Sequence, residues 1–367
     1  MIEKRLKNSI ILSNRHPIFP WYPVFIMDKK KIILQAGFLV LVMAFTLSSL
    51  FRKGELAEFL QNIRQARVSW LLAALGLLLA YILLESVIIK IIMHALGENV
   101  PMGHCCKYSF AGFFFYCISP AGSAEQPMQL YFMYKDGCKV SSSVFSLAVI
   151  TLTFKLTLML LGGYVWLLRE QAASVVSGIS PLCILGFVLT ALATAGFAAI
   201  ICLPDLVGRA AFFCIRLLHR IRIIKEPDKW QTKASDFTAK YSQALSTCKR
   251  HPFMLLIVMV ITVIQRLCFM AITAASCHAL GMTGLESWDI TMVQGMIGLA
   301  TEMLPLPGGM GVNEFIYLKA LTPVFGDGTL STLIVSRGVG FYCQLVLCGL
   351  VTAAICIFSR VKERKSK

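Results

Sequence analysis

Six apolar runs, at residues 32–51, 70–96, 143–168, 179–203, 253–280 and 329–358, dominate the chain. Each is close to or above the roughly 20 residues that a helix needs to cross the hydrocarbon of a bilayer. An α-helix pairs its own backbone groups, so it is the expected form of each run. Only 15% of residues are charged and 57% are hydrophobic, where soluble proteins carry about 25% charge. A soluble globule has too little interior to hide that apolar surface. A soluble enzyme, a disordered chain and a fibre are therefore excluded. The expected fold class is an all-α polytopic integral membrane protein with about six full spans.

Two further apolar stretches are broken by proline and glycine. One, Phe110 to Tyr134, is interrupted at Ser119-Pro120-Ala121-Gly122. The other, Ile290 to Leu321, is interrupted at Pro305-Leu306-Pro307-Gly308-Gly309. Each reads as two short helices joined by a loop at membrane depth. Such a loop is tolerated only where protein or a water-filled cavity satisfies its backbone. A pair of interrupted segments in the two halves of a chain points to a transport site. The plainer alternative is two kinked helices that only pack.

Charge sets the expected orientation. Lys and Arg number 35 against 19 Asp and Glu, a net +16. The bases flank apolar spans rather than a polar domain, which favours a lipid surface over nucleic acid. The segment from Leu206 to Arg250 carries ten Lys or Arg. The tail adds Arg360, Lys362, Arg364, Lys365 and Lys367, and the N-terminus is basic at Lys4, Arg5, Lys7, Arg15 and Lys29 to Lys31. Six spans plus two hairpins place all three regions on one side, expected to be cytoplasmic. Arg52 to Arg67 is basic yet falls outside, and is expected to lie along the interface. The expected organisation is a basic N-terminus (1–31), a transmembrane domain (32–358) containing a basic amphipathic cytoplasmic segment (204–252), and a basic tail (359–367). The first apolar run lacks an A-x-A cleavage site and reads as a retained anchor.

Within that segment, Leu206, Ala210, Phe213, Leu217 and Ile221 recur at helical spacing, and Phe237, Tyr241, Leu245 and Cys248 repeat the pattern. Lipid docking and a solvated connector both fit. The 13 cysteines form no CxxC pair and lie mostly in apolar runs, as small hydrophobes. Cys105-Cys106 beside His104 is the one local cluster, and adjacent cysteines are poor zinc spacing. Neither a metal nor a cofactor is expected.

Ionisable residues inside apolar spans cost roughly 2.5–3.5 kcal/mol each on insertion scales. The candidates are Glu85, Lys155, Arg266, Glu302, Glu314 and Arg337, with Glu125 beside the first break; Lys90 and Lys319 are near enough to helix ends to snorkel. Mutual neutralisation is one reading. The other is a headgroup site, in which Arg266, Arg337 and Lys155 hold a phosphate while Glu125, Glu302 and Glu314 hold an ammonium or relay a proton.

The segment Leu304-Pro305-Leu306-Pro307-Gly308-Gly309-Met310-Gly311-Val312-Asn313-Glu314 resembles the PxPGGxGxxE signature of the lysylphosphatidylglycerol synthase transmembrane region. This is the flippase-like domain of the multiple peptide resistance factor, a phosphatidylglycerol lysyltransferase. The segment Ser119-Pro120-Ala121-Gly122-Ser123-Ala124-Glu125-Gln126-Pro127 is similar to a second motif of that family, with Ala124 and Glu125 where two glycines are commoner. The resemblance covers about residues 30–360. It implies a membrane domain that moves lysyl-phosphatidylglycerol to the outer leaflet of a bacterial plasma membrane and so weakens cationic antimicrobial peptides. It also implies a soluble domain, in full-length members, that transfers lysine from lysyl-tRNA to phosphatidylglycerol. This chain ends soon after its last span, and Arg360 to Lys367 cannot form a catalytic domain, so the transferase half is expected to be absent; the alternative is a phosphatidylglycerol lysyltransferase, alone or with a separate synthase subunit.

The leading expectation is a flippase-like protein binding a phospholipid through Glu85, Glu125, Gln126, Lys155, Arg266, Glu302, Pro305, Pro307, Gly308, Gly309, Gly311, Glu314 and Arg337. The partners are a phospholipid and the membrane, with no nucleic acid unless lysyl-tRNA serves the transferase reading. The sequence carries no Walker motif, so ATP is not the expected driving force.

Overall fold

The computed structural model describes residues 64, 66–119, 122–203, 205, 208–209, 212–213, 215–217, 227–302 and 311–365. The expected first span at 32–51, the basic N-terminus and nearly all of 52–67 lie outside them, as do Leu206, Ala210 and Ile221 of the amphipathic segment. Among the described residues every regular element is a helix. In chain order they are α1 Val68–Ala95, α2 Met102–Ile118, α3 Glu125–Lys135, α4 Val140–Leu168, α5 Glu170–Val175 and α6 Ser180–Cys202. There follow α7 Pro227–Arg250, α8 Pro252–Ala279, α9 Ser287–Thr301, α10 Val312–Phe325, α11 Gly328–Arg337 and α12 Gln344–Lys365, with a π-helical segment at Gly338–Cys343 joining the last two.

Five helical stretches are long and apolar enough to cross a membrane: Val68–Ala95, Val140–Leu168, Ser177–Cys202, Pro252–Ala279 and Gly328–Ile357. They coincide with five of the six expected spans. The protein is an all-α, multi-pass membrane protein. Prolines set several helix starts, where a missing N–H costs nothing. Pro101 precedes α2, Pro181 lies in the first turn of α6, and Pro252 opens α8. Pro101 also explains why the first broken stretch begins at Met102, ahead of the apolar boundary at Phe110. The last apolar run is not one regular helix as its hydropathy suggests, because the π segment widens it between Gly338 and Cys343.

The central pair is α1 against α8, and α9 packs against both α8 and α6. Packing between helices in lipid relies on small residues that let backbones approach. Gly186 of α6 shows this directly: a Cβ built there would sit 2.2 Å from the Leu299 carbonyl oxygen and 2.9 Å from the Ala300 Cα. Outward faces remain apolar; Leu185, Val188 and Leu192 of α6 are exposed, as lipid contact requires.

Two contacts fix the connecting segments. Asp136, at the end of α3, gathers three groups from α2: Lys107 Nζ at 2.6 Å, the Tyr108 hydroxyl donating at 2.8 Å, and His104 Nδ1 at 3.3 Å. This clamps the first broken pair at its open end. The amphipathic helix α7 buries Tyr241, Ala244, Leu245 and Cys248 against Ile88 and Ile92 of α1, Phe145 and Val149 of α4, and Val258 of α8. The Tyr241 hydroxyl donates to the Ile200 carbonyl at 3.3 Å. The apolar stripe of α7 is thus covered by the chain itself.

Gly186→Ala forces α6 and α9 apart and should cost about 1–3 kcal/mol. Gly196→Ala on the same helix, with nothing within 4 Å of its added Cβ, serves as control. In detergent, the thermal midpoint should fall for the first variant and hold for the second. Equal midpoints would mean that the two backbones do not meet at Leu299.

Candidate functional site

Both breaks are built from side chains that finish one half-helix and start the next. At the first, Ser119 leaves α2 in an extended conformation and its hydroxyl accepts the Ala124 N–H at 3.1 Å. The Gly122 N–H donates to the Ser119 carbonyl and the Glu125 N–H to the Gly122 carbonyl, at 3.2 and 3.0 Å. These bonds turn the chain into α3 without leaving its first donors bare. At the second, Met303 to Met310 lie outside the described residues, and with them Pro305, Pro307, Gly308 and Gly309. The chain re-enters at Gly311, whose φ of 84° is one that other residues rarely adopt. The Glu314 carboxylate accepts the Gly311 N–H, closing the N-terminal end of α10. Asn313 Nδ2 donates to Thr301 Oγ1 at 3.4 Å, tying the start of α10 to the end of α9.

The two breaks flank one cavity of about 400 Å³, within the range of small-molecule sites. Gly122, Ser123, Glu125 and Gln126 reach it from the start of α3, and Asn313 from the start of α10. Two half-helix N-termini, each with its partial positive charge, therefore meet the same space. The full spans supply stripes at helical spacing: Tyr81 and Glu85 from α1, Thr151 and Lys155 from α4, Arg266, Phe269, Met270 and Thr273 from α8. Arg337, Gly340, Phe341 and Gln344 come from the π-interrupted helix, a distortion often found at functional sites.

Of the expected site residues, Glu85, Glu125, Gln126, Lys155, Arg266, Glu302 and Arg337 stand on the cavity wall. Lys155 Nζ lies 3.8 Å from a Glu302 carboxylate oxygen. Glu85 is 2% exposed and accepts from Gln265 Nε2 at 2.9 Å, which also donates to the Tyr81 carbonyl at 3.1 Å. The Arg266 guanidinium stacks on Phe154, its central carbon 3.7 Å from the ring centre, and donates to the Tyr81 hydroxyl at 3.3 Å. Its buried Nε has no hydrogen-bond partner among the described residues. Gln126 donates to the Thr151 hydroxyl. Lys90 and Lys319 are exposed, as their places near helix ends suggested.

Glu314 differs from its expected place. It stands behind Arg337, not on the wall: Arg337 Nε and a terminal nitrogen both donate to one Glu314 oxygen at 2.7 Å, while the other oxygen holds Gly311. Its acceptors are engaged in joining α10 to α11, so an ammonium would have to compete with Arg337 for them. Sequence reasoning missed Tyr81, Gln265, Gln294, Ser336 and Gln344. Gln294 and Ser336 each hydrogen-bond the Thr273 hydroxyl, at 3.1 and 2.8 Å. Uncharged polar residues in apolar runs were the available signal, and they are too common there to single out.

Removing one partner of a buried ion pair leaves the other uncompensated, at about 3–5 kcal/mol. Glu314→Ala should therefore sharply lower the thermal midpoint, and Glu314→Ala with Arg337→Ala should recover part of the loss. Strictly additive losses would show that the two side chains do not act as a pair.

The sequence was compared with known families and proteins. Residues 32–348 match the family described as the lysylphosphatidylglycerol synthase TM region. Comparison with curated proteins found no significant match. The family match runs from before α1 into α12, taking in every helix that lines the cavity. On that match, the chain belongs to the lysylphosphatidylglycerol synthase transmembrane-region family.

Proposed function

We propose that this protein binds a phospholipid headgroup in the cavity and moves the lipid between leaflets, with lysyl-phosphatidylglycerol as the leading substrate. The observation that carries this reading is a cavity of about 400 Å³, flanked by two broken helices and lined by charges of both signs. Such a wall suits a headgroup that carries a phosphate and an amine. Arg266 is the phosphate ligand. Stacking on Phe154 fixes its plane, and its unpartnered Nε leaves a donor for an anion. Lys155 and the N-terminus of α3 add positive potential beside it. Glu85, Glu125 and Glu302 receive the amine, and the acyl chains stay in the bilayer.

Family membership supports the lipid class. The basic segments support an orientation with both termini in the cytoplasm of a bacterial plasma membrane. Exporting a cationic lipid would make the outer leaflet less attractive to cationic antimicrobial peptides.

In proteoliposomes, the purified protein should speed transbilayer movement of fluorescent lysyl-phosphatidylglycerol. A charge-assisted hydrogen bond is worth about 1.5–3 kcal/mol. Arg266→Ala should therefore slow that movement at least tenfold, and Arg266→Lys should restore part of it. Equal rates for wild type and Arg266→Ala would overturn the phosphate assignment. Lysyl-phosphatidylglycerol made by the chain alone from lysyl-tRNA and phosphatidylglycerol would favour the transferase reading instead.

A further inference from the structure

Among the described residues the charges around the cavity do not balance. Glu85, Glu125 and Glu302 face it with Lys155, Arg266 and Arg337. Arg337 is already matched by Glu314. That leaves three carboxylates against two cations. Pro120-Ala121 and 303–310, the stretches of sequence that complete the two breaks, contain no ionisable residue. An uncompensated charge away from water costs several kcal/mol. Two carboxylates have stated partners: Glu85 takes the Gln265 amide and Glu302 faces Lys155. Glu125 has neither an ion pair nor a side-chain hydrogen bond among the described residues, and its electrostatic neighbours are Glu85, Arg266 and Glu302. The hydroxyls of Tyr81 and Tyr116, on the same wall, bring no charge to the count.

A second observation marks this wall as a place for something mobile. Gln344 is 2% exposed, lines the cavity, and has an amide nitrogen without a partner among the described residues. Buried donors in native proteins are nearly always satisfied, by water or a ligand where protein does not do so.

We propose that the empty cavity holds one exchangeable proton on Glu125 and releases it when the cationic group of a headgroup arrives, so that lipid and proton cross in opposite directions. This rests on the lipid reading above and adds to it an energy source. In the empty state the proton cancels the third carboxylate. In the loaded state the lysyl headgroup does so, because its two ammonium groups exceed its one phosphate by a single positive charge, and the proton leaves to whichever side the cavity faces. Either state crosses without excess negative charge, whereas the empty, deprotonated state does not. An empty return therefore requires the proton.

The test uses the full chain. Short-chain lysyl-phosphatidylglycerol added to detergent-purified protein, in weak buffer with a pH dye, should release about one proton per lipid bound. Short-chain phosphatidylglycerol, which lacks the amine, should release none. Glu125→Gln, which mimics the protonated acid, should abolish release. Should that variant bind no lipid, titration of the empty proteins from about pH 9 down to about pH 6, above the ordinary carboxylate range, decides: wild type should take up one proton more than the variant over that interval. In proteoliposomes, an imposed proton gradient should drive wild-type lipid movement against the lipid gradient. Binding without proton release, movement indifferent to the proton gradient, or movement driven by a sodium gradient instead would each overturn the coupling. So would full release from Glu125→Gln, or equal uptake by the two empty proteins. Absence of lipid binding by wild type would overturn the lipid reading itself.

Discussion

Inside hydrocarbon no water completes an unpaired backbone group or shields a charge, and each irregularity in this bundle meets that constraint with its own side chains. Ser119 turns the chain at the first break by accepting the Ala124 N–H. Glu314 closes the start of α10 on Gly311 and at the same time matches Arg337. The π segment then begins at the next residue, Gly338. One carboxylate thus ties the second break to the distortion of the last long helix. Without that pair, α10 would lose its N-terminal closure and Arg337 would be left on the cavity wall without its counter-charge.

The same constraint explains what could be read from the sequence. Run length, together with the absence of charge, locates a span because the bilayer sets both. Five expected spans accordingly fall on long helices. The two breaks were legible because proline and glycine act on the backbone locally. The charges were legible too: Glu85, Lys155, Arg266 and Arg337 stand out because ionisable residues are rare in apolar runs. Pairing was not legible. Lys155 meets Glu302, and Glu85 meets Gln265, only through helix packing that no local spacing encodes. Glu314 shows the same limit: its position in the first turn of α10 was readable, but its pairing with Arg337 was not. The π segment escaped as well, since its residues are as apolar as those of a regular span.

Net charge and local charge have opposite signs in this protein, and the difference separates their roles. The chain as a whole carries +16, most of it on loops and tails. There water and counter-ions screen it within about 10 Å. It can orient the chain in a membrane and attract anionic lipid, but it cannot act at the cavity. The cavity wall, counted with Glu314 behind it, has one acid more than base. Glu125 and Glu302 are half-buried on that wall, where fewer ions and less water reach them than at the surface, so a single charge there counts for more. In the proposed exchange this excess is cancelled by a proton in the empty cavity and by the net positive headgroup in the loaded one. A related chain with the same helices but a glycine in place of Glu125 would have a balanced wall. It would keep the path and need no proton to balance the empty cavity, so the proposed exchange would be absent from it.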